Sequence, residues 1–246
     1  MSAQSDFLRV PVWYPDLAPF TWDTKFVKLS PEMVALLAAG KPEDDDEVLH
    51  SPEAKALMRA MEGPLAEIPG NAFVFVDVCA PTDTARFAGK RGAVYSARSA
   101  LNNLLESRKV AAAAQRGEVG YICMRPFRNI TRAREFRLFI RNGALSAMSQ
   151  YHLIRHYRRL EGVKERYWQM AEEFVAEIGW RLPVKDLVMD IYITSGKKIL
   201  IVDLNAWGGE TDPLMLLTWE RDWSVPAGIR LMAPPTAVSG DVTVSF

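Results

Sequence analysis

The stretch from Leu187 to Asn205 constrains the fold more than any other part of the chain. Leu187-Val188-Met189-Asp190-Ile191-Tyr192-Ile193 and Ile199-Leu200-Ile201-Val202-Asp203-Leu204-Asn205 are β-prone apolar runs with polar groups set inside them. Thr194-Ser195-Gly196-Lys197-Lys198 between them reads as a hairpin turn, with Gly196 to accept a positive φ. In an antiparallel pair alternate residues share a face. Asp203 and Asn205 therefore point the same way, and the hairpin can bring Asp190 to them. The neighbours of both carboxylates are nearly all Ile, Leu, Val or Met, which suggests a sheet covered on both sides. An uncompensated charge is costly there, so a solvated outer face, the simpler alternative, fits less well. Two carboxylates and an amide oxygen suit a hard divalent cation such as magnesium. Without a cation they would repel, and at least one would tend to hold a proton.

The chain continues as Asp203-Leu204-Asn205-Ala206-Trp207-Gly208-Gly209-Glu210-Thr211-Asp212, with Trp219-Glu220 after it. This pattern resembles the cell-division-cycle-123 family of ATP-grasp proteins. Members carry Asp-x-Asn, then Gly-Glu-x-Thr-Asp, then Leu and Trp-Glu near the C-terminus. The eukaryotic members assist assembly of translation initiation factor 2. The resemblance implies an ATP-grasp fold that binds ATP and magnesium, with Asp190, Asp203 and Asn205 as the metal ligands. Trp13-Tyr14-Pro15, with the helix that follows, is similar to the family's opening.

The remaining elements follow from local signals. Val12-Trp13-Tyr14-Pro15 reads as extended, because proline pushes its predecessor towards β or polyproline geometry. Phe20 to Leu29 reads as a loop and short strand. Ser30-Pro31-Glu32 and Ser51-Pro52-Glu53 are helix starts, with Ser as cap and Pro at the first helical position. Lys41 to Asp46 reads as a mobile acidic loop. Phe73 to Cys79 is a strand and Ala80-Pro81-Thr82-Asp83 a turn; Ser96 to Gln115 is helical, and Val119 to Met124 a strand. Glu135–Arg141 and Ala144–Gln150 form a hairpin about Asn142-Gly143. Tyr157, Leu160, Val163, Tyr167, Met170, Phe174 and Ile178 keep helical spacing, so Arg155 to Ile178 reads as a helix. Strands, hairpins and helices are mixed, which makes the class α+β. The lobes are expected at 1–118 and 119–246, the second holding the metal-binding hairpin.

Thirty basic side chains balance thirty acidic ones, which gives no support for a nucleic-acid or membrane-surface role. No apolar run approaches the length of a membrane span, and Met1 to Asp6 shows no signal-peptide pattern. Cys79 and Cys123 lie in apolar runs and read as free thiols, which fits a reducing cytoplasm.

The resemblance also distributes roles. Glu135-Phe136-Arg137-Leu138-Phe139 looks like the family's nucleotide-binding sheet, making Arg137 a candidate for the triphosphate. Alone, that strand would read as a solvated, salt-bridged face. Arg125 matches a family Arg beside the adenine hinge, here Cys123 to Phe127, with Met124 or Phe127 as an apolar wall. Arg98 matches a further family Lys. Two positions depart from the pattern: Phe75 and Thr82 stand where basic residues are expected. His152 and His156 are four apart, but a solvated helix start beside Arg155, Arg158 and Arg159 fits them better than a metal site. Thr211-Asp212-Pro213 reads as a helix start whose amides favour anions, leaving Glu210 to act on an acceptor or an amine. Two functions follow. One is an ATP-dependent carboxylate–amine ligase, with Arg137 and Glu210 catalytic and the acceptor unknown. The other is an ATP-dependent assembly factor that docks a protein partner without turnover.

Overall fold

The computed structural model describes residues 6–41 and 47–235. Most of the acidic loop expected from Lys41 to Asp46, and the end of the Pro-rich tail, lie outside them. The elements in order are α1 (Val10–Leu17), β1 (Lys25–Lys28), α2 (Pro31–Ala39), α3 (Pro52–Ala66), β2 (Ala72–Val76), α4 (Ala85–Lys90), β3 (Ala93–Val94), α5 (Ala97–Leu105), α6 (Arg108–Gln115) and β4 (Tyr121–Pro126). There follow β5 (Glu135–Arg141), β6 (Ala144–Gln150), α7 (Arg158–Glu161), α8 (Lys164–Ile178), β7 (Leu187–Ile193), β8 (Ile199–Ala206) and β9 (Gly228–Arg230). The class is α+β, as expected. One sheet has the order β1-β4-β2-β3 and the other β8-β7-β5-β6-β9. Strand β4, which follows residue 118, pairs with β1 and β2 and so belongs to the first sheet.

Local chemistry accounts for the elements that were foreseen. Ser30 and Ser51 cap α2 and α3 by accepting from the amides of Met33 and Ala54. Asn142 and Gly143 take positive φ at the tip of the β5–β6 hairpin. Val27, Leu57, Val74, Leu101, Ile122 and Met124 pack the first core between helices and sheet. Phe136, Leu138, Met189, Ile191 and Ile201 pack the second against α8. Phe75 and Cys123 of the first sheet also join that second core, so the two lobes share apolar contacts.

Several expectations are corrected. Val12-Trp13-Tyr14-Pro15 is helical, not extended. Pro11 sits in the first turn, where a missing N–H costs nothing, and Val10, Trp13 and Leu17 bury one face of α1. That burial outweighs the bias from Pro15. The first-sheet strand ends at Val76 rather than Cys79, because Asp77 turns to bind Arg9 and the Gly120 amide. The helical run from Ser96 to Gln115 is broken at Ser107, which caps α6 and donates to Asp83. The helix expected from Arg155 is two pieces, with Arg155 to Tyr157 outside both. His152 and His156 therefore share no helix face. In the β7–β8 hairpin the positive φ falls on Lys197, not Gly196. The hairpin itself forms, with Asp190 directly opposite Asp203.

Candidate functional site

The two sheets face each other across a cleft of about 700 Å³, within the size range of small-molecule sites. The first sheet contributes Phe73, Phe75 and Arg125 to its walls, and the second contributes Asp190 and Asp203. The walls are set by strand register. Phe73 pairs with Arg125 and Phe75 with Cys123, so the aromatic rings and the guanidinium alternate onto one side. Arg125 lies 4.3 Å over the Phe75 ring and 5.5 Å from that of Trp22, a cation held against two π faces. A cation is therefore present beside the position where the sequence lacks one. Burial pulls the Arg125 pKa below its usual value, although Asp203 opposes the shift.

On the opposite wall Arg137 forms a bidentate pair with Asp190, Nε to Oδ1 at 2.7 Å and Nη2 to Oδ2 at 2.8 Å. Its third nitrogen, Nη1, donates to the Asp212 carbonyl at 2.8 Å. Asn205 Nδ2 donates to Asp190 Oδ2 at 3.1 Å. Both are buried, Arg137 to 6% exposure and Asp190 to 7%. Arg137 thus stands behind Asp190 and outside the residues that line the cleft. Asp203 has no such pair among the described residues; its Oδ1 accepts from the Leu204 amide at 2.9 Å. Burial and the neighbouring Asp190 charge push its pKa up to about 7, against an opposing pull from Arg125. This is the repulsion expected of converging carboxylates.

An all-oxygen donor set with one uncompensated carboxylate fits a hard cation. Asp203 and the amide oxygen of Asn205 are the donors that the hairpin leaves without a cationic partner, while both Asp190 oxygens are engaged. Among the described residues no three His, Cys, Asp or Glu side chains gather into a metal-holding group.

The other residues singled out from the sequence are dispersed. Phe127 lines the cleft; Cys123 and Met124 do not. Their side chains are fully buried, Met124 in the first core, so it offers no wall to a ligand. The β1 pairing ends at Met124, whereas β2 continues beside β4, with Phe73 opposite Arg125 and Ala72 opposite Pro126. Arg98 lies on the exposed face of α5, away from the cleft. Glu210 is exposed. The helix expected at Thr211-Asp212-Pro213 is a single 3-10 turn, Leu214–Leu216. Asp212 accepts from the Leu214 amide at 2.8 Å, whereas Thr211 is buried and donates to the Ala206 carbonyl at 2.6 Å. Tryptophans explain the shortness of this turn. Trp207, Trp219 and Trp223 pack on Phe139, and the Trp219 indole binds the Thr211 carbonyl, fixing the chain before a helix can grow.

Several lining residues were not foreseen. His152 is paired with Glu135 at the second sheet, and Arg91, Arg128 and Arg132 line the rim. The sequence signal for that rim was the density of arginines from Arg128 to Arg134 between two strands.

The model of the family described as D123 matches residues 97–222. The translation initiation factor eIF2 assembly protein of Vanderwaltozyma polyspora is 34% identical over 102 residues, 41% of this chain and 27% of that protein. The protein of the same name from Xenopus laevis is 38% identical over 88 residues, 35% of this chain and 26% of that protein. The matched stretches thus span about a quarter of these relatives' lengths. The structure of Cdc123 from Schizosaccharomyces pombe superposes with a TM-score of 0.79 at 18% identity, covering 95% of this chain and 98% of that one. That likeness concerns the fold: two sheets about a cleft, in the ATP-grasp-like arrangement that the sequence pattern implies. Among the described residues no helix is long and apolar enough to cross a membrane.

Proposed function

Because this chain belongs to the D123 family, we propose that it is a cytoplasmic assembly factor that binds ATP with magnesium and docks a subunit of translation initiation factor 2. The observation that carries the nucleotide reading is the cleft itself, with aromatic rings and Arg125 on one wall and the Asp190–Asp203 pair on the other. The adenine would lie against Phe73, Phe75 and Phe127, all of which line the cleft. Magnesium would be held by Asp203 and the Asn205 amide oxygen, with Asp190 oriented by Arg137. A bound cation would favour the ionised form of Asp203 and supply electrostatic stabilisation for the phosphates.

Assembly is supported over ligation by the relatives, which are named as assembly proteins. On this reading ATP closes the two sheets onto each other and fixes the surface that a partner meets. Calorimetry with ATP, with and without magnesium, tests binding, and an ADP-release assay tests turnover. Magnesium-dependent binding, negligible ADP release and retention of an initiation factor 2 subunit in a pull-down are expected. Steady ADP release with a carboxylate and an amine, and no retained partner, would return the chain to the ligases. Failure to bind ATP would remove the nucleotide reading altogether.

A further inference from the structure

The rim of the cleft carries cations for which neither the ion pairs nor the packing accounts. Arg91 follows α4, and Arg128 and Arg132 lie on the loop between β4 and β5. All three are exposed at the surface yet line the cleft. Two left-handed residues, Arg91 and Gly92, turn the chain here, and a side chain at Gly92 would meet the Phe73 ring at 2.8 Å. That turn places Arg91 on the loop, where its Nη1 donates to the Asn129 side chain and, at 3.3 Å, to the Ile130 carbonyl. Both acceptors are neutral. The Arg128 side chain reaches only the adjacent Phe127 carbonyl, at 3.4 Å, and the Arg132 side chain has no hydrogen-bond or ionic partner among the described residues. No carboxylate there pairs with any of the three. The chain as a whole has equal numbers of acidic and basic side chains, so three uncompensated arginines on one rim are a local arrangement. Like charges held together in this way oppose folding until an anion joins them.

We infer that Arg91, Arg128 and Arg132 are the phosphate-holding cations of this cleft. They take the duty that Arg137 cannot perform while paired with Asp190, and that Phe75 and Thr82 lack the charge to perform. The inference rests on the nucleotide reading of the cleft and adds the residues that grip the polyphosphate. Guanidinium groups match phosphate oxygens in charge and in planar, bidentate geometry. Asp203 lines the same cleft, so a magnesium ion there and the rim arginines would share the polyphosphate charge.

The test compares ATP with adenosine by calorimetry, in magnesium buffer, on the full chain and on Arg128→Gln/Arg132→Gln and Arg91→Gln. Arg59→Gln, an exposed change on α3 far from the cleft, is the charge-matched control. Loss of a charge-assisted phosphate contact is worth about tenfold in affinity. The double variant should therefore bind ATP about a hundredfold more weakly and adenosine within about twofold of the parent. Arg91→Gln should lose about tenfold for ATP alone, and the control should match the parent. An ATP-to-adenosine ratio unchanged in the rim variants, with the parent still preferring ATP, overturns the assignment and leaves the nucleotide reading standing. A parent that binds neither ligand overturns both.

Discussion

Arg137 offers the sharpest test of the second lobe, because three of its nitrogens are committed and none faces solvent freely. Substituting Arg137→Met keeps most of the stem and removes the charge. Asp190 would then be a buried carboxylate whose remaining side-chain donor is Asn205. Breaking a buried pair from one side costs about 3–5 kcal/mol, and the orphaned Asp212 carbonyl adds about 1 kcal/mol. For a domain of this size that lowers Tm by on the order of 10 °C. Adding Asp190→Asn removes the stranded charge while leaving an oxygen for Asn205, so the double variant should regain about 2 kcal/mol or more. Urea denaturation of the parent, both single variants and the double variant completes the cycle. A loss under about 1 kcal/mol for Arg137→Met, or a further loss on adding Asp190→Asn, would refute the pairing as the role of Arg137.

Three further outcomes are expected. Asp203 has a folded pKa raised to about 7, so the folded state holds a proton that the unfolded state has released above about pH 4. Stability should accordingly fall as pH rises from about 4 to 7 and level off above that. Asp203→Asn should flatten this part of the melting-temperature profile and weaken magnesium-dependent ATP binding; an unaltered profile would mean that Asp203 titrates normally. Thr211→Val keeps the shape but removes the hydroxyl that binds the Ala206 carbonyl, and should cost about 1 kcal/mol in a denaturant titration. Glu210→Gln, at an exposed site, should leave the melt and ATP affinity unchanged and weaken retention of an initiation factor 2 subunit in a pull-down; full retention would make this segment scaffolding.

The hairpin pairing of Asp190 with Asp203 was legible because period-two alternation, apolar flanks and a turn all agreed. The Ser-Pro-Glu helix starts were legible for the same reason: cap and proline signals coincide within three residues. The helical state of Trp13 was not, since the local signal from Pro15 contradicts a burial that depends on the second core. Nor was the commitment of Arg137 to Asp190. Alternation placed Arg137 on a face but could not say what covers that face, and cross-strand register puts a carboxylate directly opposite it. The rim arginines are not legible as a group because Arg91 and Arg128 lie 37 positions apart in the chain, and it is the fold that joins them, through the Arg91 contacts to Asn129 and Ile130.

Helix α1 precedes the first sheet in the chain but packs into the second core. Trp13 and Leu17 lie with Met189 and Ile201, and just beyond the helix Thr21 donates to the Ile201 carbonyl across 180 positions. During synthesis this early helix cannot complete its core until β7 and β8 emerge, although Phe75 and Cys123 arrive before them. At about 5–20 residues per second the last strands of that core follow roughly 10–40 seconds after the helix. Closure of such a long loop is entropically slow to reward, so the first lobe can collapse while α1 remains outside it. The last step of folding is then the return of the earliest helix to the latest hairpin, and chaperone contact should concentrate on α1 in that interval.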